Sequence, residues 1–198
     1  VSVLGKADPD LRFQIYDVTQ FEYPDDLDDC DGYLITGSRH SVYEPIEWIT
    51  RLGEFVVELN AAKKKLVGIC FGHQLVAHVL GGETAKSSKG WGVGRHETTL
   101  SDPSRPQWSS EFGLLSSHQD QVQSLPQQAR VIAQSDFCPI AGMAIGDHIV
   151  TLQGHPEFTK AYARDLLGVR RELLGETLYQ QGVDSLDEEV HQDRVALV

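Results

Sequence analysis

The chain has 198 residues, 40% of them hydrophobic, and carries a formal charge of −12 with a pI near 5.0. That length supplies one sizeable core, while the acidity opposes the phosphate attraction behind nonspecific nucleic-acid binding, so no nucleic acid is expected as a partner. No apolar stretch approaches the roughly 20 residues that cross a bilayer, and no basic-then-apolar leader opens the sequence, so no membrane partner is expected either.

Along the chain, Val1 to Leu4 is followed by Lys6-Ala7-Asp8-Pro9-Asp10 and then at once by Phe13 to Val18, an alternating run that predicts a strand. Parallel neighbours need a connection of about a dozen residues, so Val1 to Gly5 reads as the end of a helix, and a preceding first strand is expected to be absent from the sequence. Tyr33 to Thr36 is the next predicted strand. From Pro45 to Ala62, Ile46, Ile49, Leu52, Phe55, Val56 and Leu59 form one apolar stripe of a helix, with Pro45 suited to its first position. Lys63-Lys64-Lys65 places cations at the negative end of that helix. Leu66 to Ile69 predicts a buried parallel strand, and Gly72 to Leu80 a helix ended by Gly81-Gly82.

Val131 to Gln134 and Ile149 to Leu152 complete the predicted strands. A second amphipathic helix follows His155, with Phe158, Tyr162, Leu166, Val169 and Leu173 on one face. Strands separated by helices predict an α/β fold, a mostly parallel sheet covered by helices on both faces, in a single domain over residues 1–181. Residues 182–198 are acidic and weakly patterned, with Leu186 and Val190 the one good helical pair; they read as a peripheral helix or mobile tail, an interaction tail being the alternative.

Cys70 falls between a predicted strand and a predicted helix, with glycine two residues before (Gly68) and two after (Gly72). A nucleophile on such an elbow has a strained backbone, and the flanking glycines let strand and helix approach. An ordinary thiol is only a few per cent thiolate at neutral pH, so it needs activation. The positive end of the following helix supplies one source, and His155 a second, as a base. Pro156 biases His155 toward extended backbone, where side chains two apart point the same way, so Glu157 can orient the imidazole. The Phe71 amide at the helix start and the Gly37 amide, after the Tyr33 strand, are the candidate oxyanion donors, each worth about 3 kcal/mol in a transition state. The reaction these residues permit is acyl transfer through a thioester.

The blocks Gly68-Ile69-Cys70-Phe71-Gly72-His73-Gln74 and Gln153-Gly154-His155-Pro156-Glu157-Phe158 resemble the two signature blocks of class I glutamine amidotransferase domains, over roughly Asp31 to Leu167. Lys89-Gly90-Trp91, Ser117-His118-Gln119-Asp120 and Gly146-Asp147-His148-Ile149 are similar to GMP-synthase-like proteins and plant γ-glutamyl peptidases within that family. The resemblance implies a flavodoxin-like sheet, a triad of Cys70, His155 and Glu157, and oxyanion donors at Gly37 and Phe71. It also implies that Gln74, Ser117, His118 and Gln119 hold the glutamyl moiety. Thr36-Gly37-Ser38 departs from the Gly-Gly-Pro or Gly-Ser-Pro common in related domains. Nothing in the chain resembles an ATP-pyrophosphatase or synthase domain, so amide transfer would require a separate partner to receive ammonia.

The expected activity is glutamine hydrolysis. A γ-glutamyl peptidase acting on glutathione-like compounds and a non-catalytic binding subunit stand as alternatives. No cofactor and no metal are expected: His73 and His78 lie on different faces of one helix with no second ligand pair nearby. Gly90-Trp91-Gly92-Val93-Gly94 precedes no convincing helix and reads as a turn beside the site, where Trp91 can cover substrate. Cys30, Cys70 and Cys138 form no CxxC pair, which fits reduced thiols and a cytoplasmic protein.

Overall fold

Three short strands run parallel at one end of a seven-stranded sheet: β1 (Gly32–Ile35), β2 (Lys65–Ile69) and β9 (Ile149–Leu152). In this computed structural model, which describes residues 4–5, 8–102 and 110–190, their register pairs Ile35 with Gly68 and Ile69 with Leu152. The sheet then continues antiparallel through β8 (Gly142–Ile145), β7 (Ala129–Gln134), β4 (Gly92–Leu100) and β5 (Ser110–His118). A separate antiparallel pair, β3 (Glu83–Lys86) with β6 (Asp120–Ser124), packs on the helix that follows β2.

The α/β architecture expected from the sequence is present, with parallel pairing confined to β1, β2 and β9. β4 and β8 escape sequence reading for opposite reasons. β4 opens on two glycines and runs through polar residues with Val93 and Leu100 its apolar ones, whereas the four residues of β8 are all buried and have no alternation.

Helix α1 (Glu47–Ala61) buries Ile49, Leu52, Phe55, Val56 and Leu59 of the expected stripe, while Ile46 is its N-cap and Pro45 lies before the helix rather than at its first position; α2 (Phe71–Val79) buries Leu75 and Val76 beside them. These side chains share one cluster with Leu66, Met143 and Ile149 on one face of the sheet. On the other face Ile69, Ala144 and Leu152 meet Leu100, Phe112, Leu114 and Ile132, so the antiparallel half curls over the parallel strands and supplies their second cover. The outer face of that half, through Val93 and Leu115, is covered by α3 (Lys160–Val169) and α5 (Glu176–Ser185); the short α4 (Arg171–Leu174) joins them.

Three sequence expectations change. Phe13 to Val18 forms no strand: it runs as irregular chain into a 3-10 turn at Val18–Gln20, with Phe13 41% and Ile15 78% exposed, because it pairs with no neighbouring strand. The buried side of α3 is Ala163 and Leu167, while Tyr162, Val169 and Leu173 are exposed. Thr159 caps that helix by accepting from the Tyr162 amide at 3.1 Å, and the face that packs with Val93 and Leu115 lies one residue along from the expected stripe. Gly182 falls inside α5 rather than opening a tail, and Leu186 is 1% exposed against the α3 cluster. The Ser185 hydroxyl accepts from the Arg95 amide at 2.9 Å, holding this segment to β4. Leu4 and Gly5 are helical as expected; the rest of Val1 to Gly5 and residues 191–198 lie outside the described residues.

Gly72 sets how closely α2 approaches β1, since a Cβ there would lie 2.4 Å from the Ile35 carbonyl oxygen. Gly72→Ala is expected to lower the urea midpoint measured by circular dichroism, at a cost on the order of 1–3 kcal/mol, because backbone rather than a flexible side chain must move.

Candidate active site

β2 turns into α2 at Cys70, whose φ of 52° and ψ of −99° lie in a region that side-chain-bearing residues rarely adopt. The sharp turn brings strand and helix so close that a Cβ on Gly68 would lie 2.8 Å from the Gly72 carbonyl carbon. Both glycines are therefore required by the elbow that the Cys70 spacing predicts. The Cys70 amide donates to Leu152 O at 2.8 Å, which ties the turn to the end of β9, and Cys70 is 6% exposed.

Three residues past Leu152 the chain reaches His155, whose amide donates to Leu115 O of β5 at 2.8 Å. β5 is the far edge of the sheet in strand order, so this bridge closes the curl and locks His155 beside Cys70. Its Nδ1 lies 2.7 Å from Glu157 Oε1, which leaves the other ring nitrogen for its interaction with Cys70. Burial alone would lower the imidazole pKa; the hydrogen bonds and negative charges of Cys70 and Glu157 outweigh it and push it up to about 9. The Glu157 side chain is 43% exposed and the His155 side chain 6%, so the pair reaches solvent through its carboxylate and not through its ring. Phe158 stacks on the imidazole at 3.8 Å and 11°, fixing the ring plane and presenting a π face to a cationic imidazolium.

Gly37 stands against both partners. A Cβ on it would lie 3.0 Å from His155 Cε1 and 3.6 Å from Cys70 Cβ. Phe71 opens α2, where the first amides have no intrahelical acceptor, and its ring packs 5.6 Å from that of Trp48. The structure thus brings Cys70, His155, Glu157, Gly37 and Phe71 to one edge of the sheet.

The other four candidates lie next to this cluster in two settings. Gln74 is buried, and its Nε2 donates to Asp120 O at 2.8 Å and Gln153 Oε1 at 3.0 Å. His118 is also buried; its Nδ1 pairs with Asp120 O at 3.1 Å, and burial pushes its pKa down to about 3, so the ring is neutral. Ser117 and Gln119 are half-buried at the end of β5. Arg170 donates to Ser117 Oγ at 2.6 Å and lies 5.1 Å over the Trp91 ring, which pins Trp91 to the same strand end.

The remaining thiols and imidazoles have structural settings. Cys138 is 3% exposed, and burial pushes its thiol up to about 12, which leaves it unreactive. His73 donates from Nε2 to Ile140 O at 3.1 Å and pairs Nδ1 with the Thr151 hydroxyl at 2.7 Å; burial lowers its pKa to about 4. Among the described residues no group of three or more His, Cys, Asp or Glu is arranged to hold a metal ion, and no helix is long and apolar enough to cross a membrane.

Sequence reasoning named Gln153 and Phe158 only as members of the second block, and Phe158 as part of a helix face, and it gave no role to Arg170. Phe158 carries a signal in its place directly after His155-Pro156-Glu157. The contacts of Gln153 with Gln74 and of Arg170 with Ser117 and Trp91 join residues far apart in the chain, which no local pattern encodes.

The family model of glutamine amidotransferase class-I matches residues 8–166. The chain is 34% identical over 159 residues to γ-glutamyl peptidase 3 of Arabidopsis thaliana, an alignment covering 75% of this chain and 64% of that protein, so the chain spans just under two thirds of that relative. It is 31% identical over 176 residues to the glutamine-hydrolyzing GMP synthase of Thermomicrobium roseum, covering 84% of this chain and 32% of that protein. A glutamine amidotransferase structure from Thermotoga maritima superposes with a TM-score of 0.78 at 18% identity, over 96% of this chain and 85% of that one, and has the same fold. A family match along most of its length places the chain in the class I glutamine amidotransferase family.

Proposed function

We propose that this protein hydrolyses a γ-glutamyl amide through a thioester on Cys70, with glutamine as substrate and ammonia as product. The observation that carries this reading is the contact of a strained, buried cysteine with an imidazole that its neighbours hold protonated to about pH 9. The Cys70 sulfur attacks the γ-carbonyl carbon, and the carbonyl oxygen becomes an oxyanion held by the Gly37 and Phe71 amides. His155 passes its proton to the leaving nitrogen as the C–N bond breaks, and ammonia departs. A water gives a proton back to His155 and attacks the thioester, releasing glutamate and restoring Cys70. Glu157 orients His155 throughout. Ser117 and Gln119 contact the glutamyl moiety at the rim, while Gln74 and His118 form the wall that shapes its pocket. A separate synthase is the acceptor of the ammonia.

A second reading, cleavage of γ-glutamyl peptides by the same chemistry, is favoured by the 34% identity to γ-glutamyl peptidase 3 and to γ-glutamyl peptidase 5 of Arabidopsis thaliana. Ammonia release from glutamine, measured beside release of the cysteine-containing product from a γ-glutamyl-cysteine peptide, separates the two. Ammonia from glutamine is the expected outcome, and turnover of the peptide alone would replace the first reading with the second.

In the same assay Cys70→Ala is expected to abolish turnover, whereas Glu157→Gln, which keeps the shape but not the charge, leaves a measurable remnant. The pH profile follows from His155. The proton needed by the leaving nitrogen is present below about pH 9 and lost above it, so kcat/KM should fall as pH rises through that value. Glu157→Gln removes one of the two groups that raise the imidazole pKa, and the alkaline limb should move to lower pH. A limb unmoved by that change would mean the Glu157 charge does not act on His155.

A further inference from the structure

We propose that Asp120 is a positioning residue for the oxyanion hole: its carboxylate clamps the loop that carries Gly37 to the helix that starts at Cys70. This rests on the reading of Gly37 as an oxyanion donor. The loop from Thr36 to Ile46 joins β1 to α1, and the amide of Gly37 must stay within a few tenths of an ångström of the position the oxyanion takes. The hydrogen bonds from His40 Nδ1 and the Ser41 amide to the Glu44 carboxylate join residues of the loop itself, and the His40 ring, 5.8 Å from that of Trp48, leans on α1 without a hydrogen bond to the sheet.

Its attachment to the body of the protein comes four and six residues after Gly37. Ser41 Oγ donates to Asp120 Oδ2 at 2.5 Å, and Tyr43 OH to Oδ1 at 3.1 Å. Between them Val42, 4% exposed, enters the apolar cluster of α1 and α2. Asp120 is itself 8% exposed, and a buried carboxylate is costly unless its oxygens are satisfied, as both are here by loop hydroxyls. Its backbone carbonyl accepts from Gln74, one turn along α2 from Cys70, and pairs with His118 at the end of β5. One residue therefore joins the donor loop, the nucleophile helix and the strand end beside the pocket. None of these contacts reaches a reacting atom.

The test separates a step that forms an oxyanion from one that does not. Iodoacetamide alkylates Cys70 by displacing iodide from a saturated carbon, with an S–C bond formed, a C–I bond broken and no tetrahedral oxyanion. For Asp120→Asn, turnover of glutamine is expected to fall about 10²-fold through kcat with KM nearly unchanged, while the alkylation rate at Cys70, followed by mass spectrometry, stays at the wild-type value. Ser41→Ala combined with Tyr43→Phe leaves Asp120 in place and should reproduce the same split, and adding Asp120→Asn should cost little more. Equal losses of turnover and alkylation, or no loss of either in the double variant, would overturn the clamp. A wild-type protein that alkylates at Cys70 yet turns over neither glutamine nor a γ-glutamyl-cysteine peptide would instead overturn the underlying reading, and the clamp with it.

Discussion

The candidate site depends on the register of three parallel strands. Because Ile35 pairs with Gly68 and Ile69 with Leu152, β1, β2 and β9 end at the same edge of the sheet, and Gly37, two residues past β1, Cys70, directly after β2, and the segment leading to His155 follow there. A shift of one residue in either pairing would turn each side chain to the opposite face and separate the sulfur from the imidazole. Carboxyl ends of parallel strands are where open α/β sheets leave room for ligands, since the chain there leaves the ladder and exposes loops and helix starts. The elbow at Cys70 uses that room. Its strained backbone is held by the Leu152 carbonyl on one side and the first turn of α2 on the other.

The antiparallel half of the sheet does the second part of the work. By curling over β2 and β9 it buries Leu114 against Leu152 and brings Leu115 O to the His155 amide. It thereby excludes water from the sulfur side of the imidazole, and burial by itself disfavours the charged ring. Two short-range partners of negative charge reverse that preference, and the ring keeps its proton well above neutrality. The balance explains why Glu157 stands at the solvent boundary rather than in the core. A fully buried carboxylate would carry a desolvation cost of its own, whereas one that is 43% exposed still reaches Nδ1 at 2.7 Å.

Polar contacts behind the site connect these parts. Gln74 links α2 to Gln153, two residues before His155, and to the Asp120 carbonyl, while the Asp120 carboxylate reaches back to the β1 loop. Displacing a bonded member of this network would strand a polar group away from water, although the network is not fully satisfied, since Gln153 Nε2 is buried without a hydrogen-bond partner. The likeness to the class I family runs through the same positions, since Gln74, Asp120 and Gln153 all fall within the blocks that carried the resemblance.

The chemistry of the site was legible in the sequence because it is written in short-range patterns. Glycines two residues either side of Cys70, a buried strand before it, a helix after it and His155-Pro156-Glu157 each have a local physical meaning, as does the stripe that α1 buries. Other features depended on partners distant in the chain. The alternation in Phe13 to Val18 called for a strand, but a strand forms only where another edge offers hydrogen bonds. The apolar positions around α3 were visible, yet packing against Val93 and Leu115, distant in the chain, decided that Ala163 and Leu167 face inward. By itself the sequence determined where the candidate nucleophile, imidazole and carboxylate stand along the chain and the backbone turn that presents Cys70, since those follow from local sterics and side-chain chemistry. Only the tertiary structure decided that β5 closes back on His155 and that Asp120 holds the β1 loop, because both rest on hydrogen bonds between segments that have no shared pattern along the chain.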